Sequence, residues 1–123
     1  MIQGIGSDLV EIARIEAAYQ RRGEALAQRL LSASEWQRFL AEGRKMAFLA
    51  KRFAAKEALL KALGTGLRNI RWQDISIEND SLGKPVLVAQ GVLAARLQGC
   101  QVHISITDER AYALAFVIIE STS

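Results

Sequence analysis

The chain has 123 residues, half of them hydrophobic, and its 16 Lys and Arg against 13 Asp and Glu leave a net charge of +3. That length suits one domain with one core, in which folding removes about two thirds of the chain's surface from water. The only cysteine, Cys100, excludes an intrachain disulfide and a thiolate metal cluster and fits a reducing cytosol. Asp8, Glu11, Arg14 and Glu16 stand where a signal peptide would be apolar, and no uncharged run approaches the roughly 20 residues of a membrane span. The expectation is a single cytoplasmic domain over 1–123 with no membrane partner.

The chain opens on an apolar run interrupted by Gly4 and Gly6, which predicts a strand over 2–8 leading into a helix. The two glycines allow another backbone or a ligand to come close. Asp8 lies at the predicted exit of the strand, where it is either the cap of the following helix or a functional acid. That helix covers about 11–22 and reaches 30 if Gly23 does not break it; an unbroken helix places Arg14, Arg21, Arg22 and Arg29 near one face. Ser32-x-x-Glu35 is a capping-box pattern that introduces a helix over 34–42.

A long helix follows over 45–63 and stops at Gly64-Thr-Gly66, a glycine signal for a helix C-terminus. At 100° per residue, Met46, Leu49, Ala50, Phe53, Ala54 and Leu60 share one side, and Glu57 falls near its centre. Burying an unpaired carboxylate costs several kcal/mol, so Glu57 must pair with a cation, hold a metal, or look into a cleft. The plainer alternative is a solvated Glu57–Lys61 pair at i,i+4.

Strand character begins at Ile75 and Ile77, Asp80-Ser-Leu-Gly83-Lys84-Pro85 turns the chain, and 86–89 form the returning strand. After a short helix near 91–98, Val102, Ile104 and Ile106 alternate with His103, Ser105 and Thr107. The last strand, 112–119, is apolar on both alternating faces, as expected for a strand covered by helices on one side and by another subunit on the other. Helices and antiparallel hairpins in this order predict an α+β fold, mainly an antiparallel sheet packed against the long helix.

Charge is unevenly spread: residues 1–71 carry a net +6 and residues 72–123 a net −3. A basic half points to an anionic partner, whether phosphate, nucleic acid or an acidic protein. The aromatic residues there, Tyr19, Trp36, Phe39, Phe48 and Phe53, read as packing residues, which argues against nucleic acid. No Walker-type loop, no Gly-x-Gly-x-x-Gly and no His-x-x-x-His pair is present. His103 is either a general base or a hydrogen-bonded structural residue. Two carboxylates, Asp8 and Glu57, remain near lysines and arginines, and oxygen-only ligation with phosphate suits magnesium.

Gly4-Ile-Gly6-Ser-Asp8-Leu-Val-Glu-Ile-Ala-Arg14 resembles the first signature of the holo-acyl-carrier-protein synthases, the small 4′-phosphopantetheinyl transferases, and Arg52-Phe-Ala-Ala-Lys56-Glu57-Ala-Leu-Leu-Lys61-Ala-Leu-Gly64-Thr-Gly66 resembles the second. Gly83-Lys84-Pro85 and Val102-His-Ile-Ser-Ile-Thr107 resemble later landmarks, so the similarity spans essentially the whole chain. Many members carry a histidine after the Ser-Ile-Thr/Ser run where this chain has Asp108, and an Asp-Glu-Arg variant also occurs.

The resemblance implies the 4′-phosphopantetheinyl transferase fold and transfer of the phosphopantetheine arm of coenzyme A to a serine of an acyl carrier protein, in fatty acid biosynthesis, releasing adenosine 3′,5′-bisphosphate. Asp8 and Glu57 then hold Mg2+; Glu57, Lys61 and His103 are the catalytic candidates. Arg52, Lys56, Lys61, Gly64, Gly83, Lys84 and Pro85 border coenzyme A, and Arg14, Arg21 and Arg22 face the carrier. It further implies a homotrimer with active sites between subunits.

Overall fold

The computed structural model describes residues 1–122. Its elements run β1 (Ile2–Glu11), α1 (Ile12–Arg22), α2 (Glu24–Leu30), α3 (Ala33–Ala41), α4 (Lys45–Leu63), a 3-10 turn (Trp72–Asp74), β2 (Ile75–Asn79), β3 (Pro85–Ala89), α5 (Gly91–Arg96), β4 (Cys100–Asp108) and β5 (Tyr112–Ser121). The strands form one antiparallel sheet in the order β1-β5-β4 and a separate β2-β3 hairpin. No helix among the described residues is long and apolar enough to cross a membrane. The α+β expectation holds, with the long helix ending on Gly64 at φ 78°.

One face of the larger sheet is pressed onto α4. The β1–β5 register pairs Gly4 with Ile119, Gly6 with Val117, Asp8 with Ala115 and Val10 with Ala113. Paired residues point to the same side of a sheet, and Ala113, Ala115, Val117 and Ile119 are all buried. Gly4 and Gly6 therefore face the helix, and a Cβ on Gly6 would stand 1.9 Å from the Ala58 carbonyl oxygen and one on Gly4 2.0 Å from that of Ala62. Strand and helix approach as closely as they do because neither glycine has a side chain.

The other sheet face is open. Leu114 and Phe116 of β5 are each 39% exposed, and their β1 neighbours Ile5 and Leu9 are 56% and 61% exposed. Inside, Phe39 packs against Tyr19, Trp36 and Phe48 with centroids 5.6–6.3 Å apart, stacked on Trp36 and tilted to the other two, so these aromatics of the basic half are packing residues.

Three sequence expectations need correction. Gly23, at φ 67°, ψ −153°, ends α1, so Arg29 belongs to a separate helix and the four arginines share no continuous face. β1 runs on to Glu11, which places Asp8 within the strand opposite Ala115 and not at a helix cap. Finally, α4 has no single buried stripe. It is buried around most of its circumference, while Met46, Phe53 and Glu57 lie on its partly open side. The cleft alternative for Glu57 is the one the packing selects.

Glu35 ties this assembly together. Its Oε1 accepts hydrogen bonds from the Ser32 backbone N–H at 2.9 Å, closing the capping box of α3, and from Lys56 Nζ at 2.6 Å. Its Oε2 accepts from the Ile77 N–H at 2.8 Å. Lys56 also donates to the carbonyls of Leu30 at 2.6 Å and Trp72 at 3.1 Å, so one buried pair joins α2, α3, α4, the 3-10 turn and β2. A buried charge pair is tolerated when its remaining hydrogen-bonding capacity is met, as it is here.

Candidate active site

The glycine-mediated contact between β1 and α4 sets the geometry of the acids. Gly4, Gly6 and Asp8 are successive inward positions of one strand, and the glycines rest on Ala62 and Ala58. The next inward residue, Asp8, is thereby carried beside Glu57. Lys61, one helical turn beyond Glu57, donates to Asp8 Oδ1 and to the Ser7 carbonyl, each at 3.0 Å. Partial burial, reinforced by the negative charge of Asp8, raises the pKa of Glu57 above the usual carboxylate range, and Lys61 opposes that shift. The two acids are close enough to repel.

Two clefts meet at Glu57. The first, about 430 Å³, is lined by Asp8, Glu11, Arg14, Phe53, Glu57 and Tyr112 among others. The second, about 370 Å³, is lined by Glu57, Lys61, Gly64, Gly66, Leu67 and Trp72. Phe53 and Trp72, with centroids 5.7 Å apart, form an aromatic wall beside the acids. Arg14 reaches the first cleft, while Arg21 and Arg22 are exposed in the last turn of α1. No group of three or more His, Cys, Asp and Glu among the described residues is gathered to hold a metal. Two repelling carboxylates with oxygen-only donors nonetheless fit a hard divalent cation that takes its other ligands from phosphate and water.

A smaller cavity of about 180 Å³ stands apart, lined by Lys51, Arg52, Asn79, Gly83, Pro85, Ile106 and Asp108 and sharing no residue with the two clefts. Arg52 is only 5% exposed and packs its guanidinium 4.6 Å from the Phe48 ring centroid. It donates to Asn79 Oδ1 at 3.0 Å and lies 3.8 Å from Glu35. Its Nε is buried without a hydrogen-bond partner. Burial lowers the Arg52 pKa, and the Glu35 carboxylate works against that shift. Asn79 Nδ2 in turn holds the Gly83 carbonyl at 2.9 Å, tying the hairpin turn to the arginine. Lys84 is exposed beside this cavity without lining it.

Two candidate residues lie elsewhere. Lys56 is fully buried, with Leu30, Glu35 and Trp72 as acceptors, so it is a core residue and no phosphate contact. His103 pairs with Ile118 in the β4–β5 register, which turns it to the open sheet face, opposite to Asp8. There its Nε2 lies 3.0 Å from Glu120 Oε1. Within one chain His103 cannot join the acids.

Two neighbouring carboxylates, a lysine bound to one of them and two clefts that meet at the other make an oxygen-donor site of the class that handles phosphate chains. The chain belongs to the 4′-phosphopantetheinyl transferase superfamily, whose family model matches residues 4–117. It is similar to the holo-(acyl-carrier-protein) synthases of Photorhabdus laumondii, at 49% identity over 97% of this chain and 98% of that one, and of Vibrio cholerae, at 50% identity over 98% of each. Among solved structures, the synthase from Neisseria meningitidis superposes with a TM-score of 0.93 at 42% identity, covering 98% of this chain and 100% of that one. The Bacillus anthracis synthase, solved in complex with CoA (3′,5′-ADP), gives 0.84 at 36% identity over 98% of both.

Proposed function

We propose that this protein is a holo-acyl-carrier-protein synthase. It transfers the 4′-phosphopantetheine of coenzyme A to a serine of an apo-acyl carrier protein, in the cytoplasm and in the service of fatty acid biosynthesis. The observation that carries the reading is the apposition of Asp8 and Glu57, with Lys61 on Asp8, inside a chain about half identical to named synthases over 98% of its length.

Asp8 and Glu57 would hold Mg2+, which would supply neutralisation of the charge on the diphosphate of coenzyme A. Glu57, directly or through water, takes the proton of the carrier's serine hydroxyl as the new Ser Oγ–P bond forms. The P–O bond to the nucleotide breaks, and adenosine 3′,5′-bisphosphate departs. Lys61 steadies the phosphate oxygens, a cation placed where negative charge builds up. Gly64 leaves room at the second cleft, and the exposed Arg14, Arg21 and Arg22 attract the acidic carrier.

The cavity around Arg52, Gly83 and Pro85, with Lys84 at its edge, binds a further phosphate of coenzyme A. Asp8 lies on β1 and Asp108 on β4, the two edge strands of the sheet, and the cavity shares no lining residue with the clefts at the acids. A homotrimer closed through the exposed Ile5, Leu9, Leu114 and Phe116 face brings one subunit's cavity to its neighbour's acids. His103, on that same face, then acts at an interface and not beside its own Asp8.

The deciding experiment is mass spectrometry of an apo-carrier incubated with the protein, coenzyme A and magnesium. A phosphopantetheine mass gain that is lost with Asp8→Ala or Glu57→Gln supports the reading, and an unmodified carrier overturns it. Mixing an acid-site variant with an Arg52→Ala variant should restore part of the activity. A fully active monomer by light scattering rules out the shared site.

A further inference from the structure

The cavity around Arg52 contains a charge that an anion site does not need. Asp108 is the last residue of β4 and pairs with Ala113, which faces the long helix. Its side chain is thereby directed toward α4, where Oδ1 stands 4.0 Å from Lys51 Nζ. Both side chains line the cavity and both keep about a third of their surface, so the pair is open to solvent and to a ligand. Beside it lies Arg52, whose buried Nε stands 3.8 Å from Glu35 Oε2 and whose guanidinium donates to Asn79. Two cations converge on the cavity and a carboxylate occupies one of them.

We propose that Asp108 is a resident counter-ion, which competes with the ligand's phosphate for Lys51 and so loosens the hold on coenzyme A and on the departing nucleotide. This rests on the coenzyme A reading given above. Displacing Asp108 from Lys51 costs the pair interaction, and that cost is subtracted from the phosphate's binding. Partly exposed pairs are weak, so the effect is modest: removing the charge should tighten binding about fivefold.

The probe is adenosine 3′,5′-bisphosphate, titrated calorimetrically into the intact protein in its native assembly. Asp108→Asn should lower the dissociation constant about fivefold, and Lys51→Met should raise it. In the Lys51→Met background, Asp108→Asn should change it less than about twofold, because the cation in dispute is gone. Unchanged or weaker binding by Asp108→Asn overturns the proposal, since the carboxylate would then be orienting Lys51 for the ligand. A full fivefold gain without Lys51 overturns it too. If the parent protein binds neither the bisphosphate nor coenzyme A, the functional reading itself has failed. Binding by the parent with no response to Asp108→Asn condemns only the counter-ion.

Discussion

Replacing Gly6 with alanine tests the link between packing and chemistry directly. The new methyl carbon would lie 1.9 Å from the Ala58 oxygen, 2.7 Å from the Ala62 nitrogen and 3.0 Å from the Ala58 carbonyl carbon, all backbone atoms that cannot swing away. Ordinary contact begins near 3.4 Å, so strand and helix must part by about 1.5 Å. Overpacking of this kind costs about 1–3 kcal/mol, partly offset by the roughly 0.4–1 kcal/mol gained from a less flexible unfolded chain. For a chain of this size the net loss should lower Tm by about 4–10 °C. Asp8 rides on the displaced strand, and an error of about 1 Å between reacting groups costs on the order of a hundredfold in rate. Thermal melting and carrier modification are therefore measured together, with Gly43→Ala as control, because nothing lies within 4 Å of that position. A Gly6→Ala protein that melts with the parent and modifies its carrier at the parent's rate refutes the reasoning.

Two more expectations follow from the site. The raised pKa of Glu57 means that the folded chain keeps that proton to higher pH than the unfolded chain does. Metal-free stability should consequently fall as pH rises past the unfolded carboxylate value of about 4.3. In chelator, Glu57→Gln should melt above the parent at neutral pH, with the gap closing toward pH 4; a gap independent of pH sinks the assignment. Arg21→Glu should raise KM for the carrier and leave kcat and the constant for coenzyme A nearly unchanged, with the difference shrinking as salt is added. A selective rise in the coenzyme A constant instead would put that arginine on the other ligand.

Much of this architecture is legible in the residues because local signals agree with tertiary packing. Ser32 and Glu35 announce the start of α3, Gly64 ends α4, and Gly4 with Gly6 allows the close backbone approach that is found. Glu57 stands out as a carboxylate amid apolar residues, although the surface it faces is a cleft and not the middle of a stripe. Lys56 misleads because it adjoins Glu57 in sequence, whereas adjacent helical residues diverge by 100°. Ala55, Leu59 and Leu60 around it are the sign that it points inward. His103 is a case where alternation does give the answer: Ile104 is buried, so its neighbour must face the other way. Asn79 carries no such signal. Its bridge between Arg52 and Gly83 depends on a hairpin meeting a helix 27 residues earlier.

The neighbouring residues Lys56 and Glu57 give α4 the character of an indexed shaft. One tooth is locked in a cage of three acceptors drawn from three other elements, and the next presents the acid to the cleft. Rolling the helix by even about 20° would drag the ammonium about 2 Å across its cage, beyond the reach of its hydrogen bonds. The acid's bearing is thus referenced to the interior and insulated from whatever docks outside. Adjustment to different carriers must come from side-chain rotamers, from β1 or from an adjoining subunit, and mutations that retune partner choice should cluster there while α4 stays unaltered.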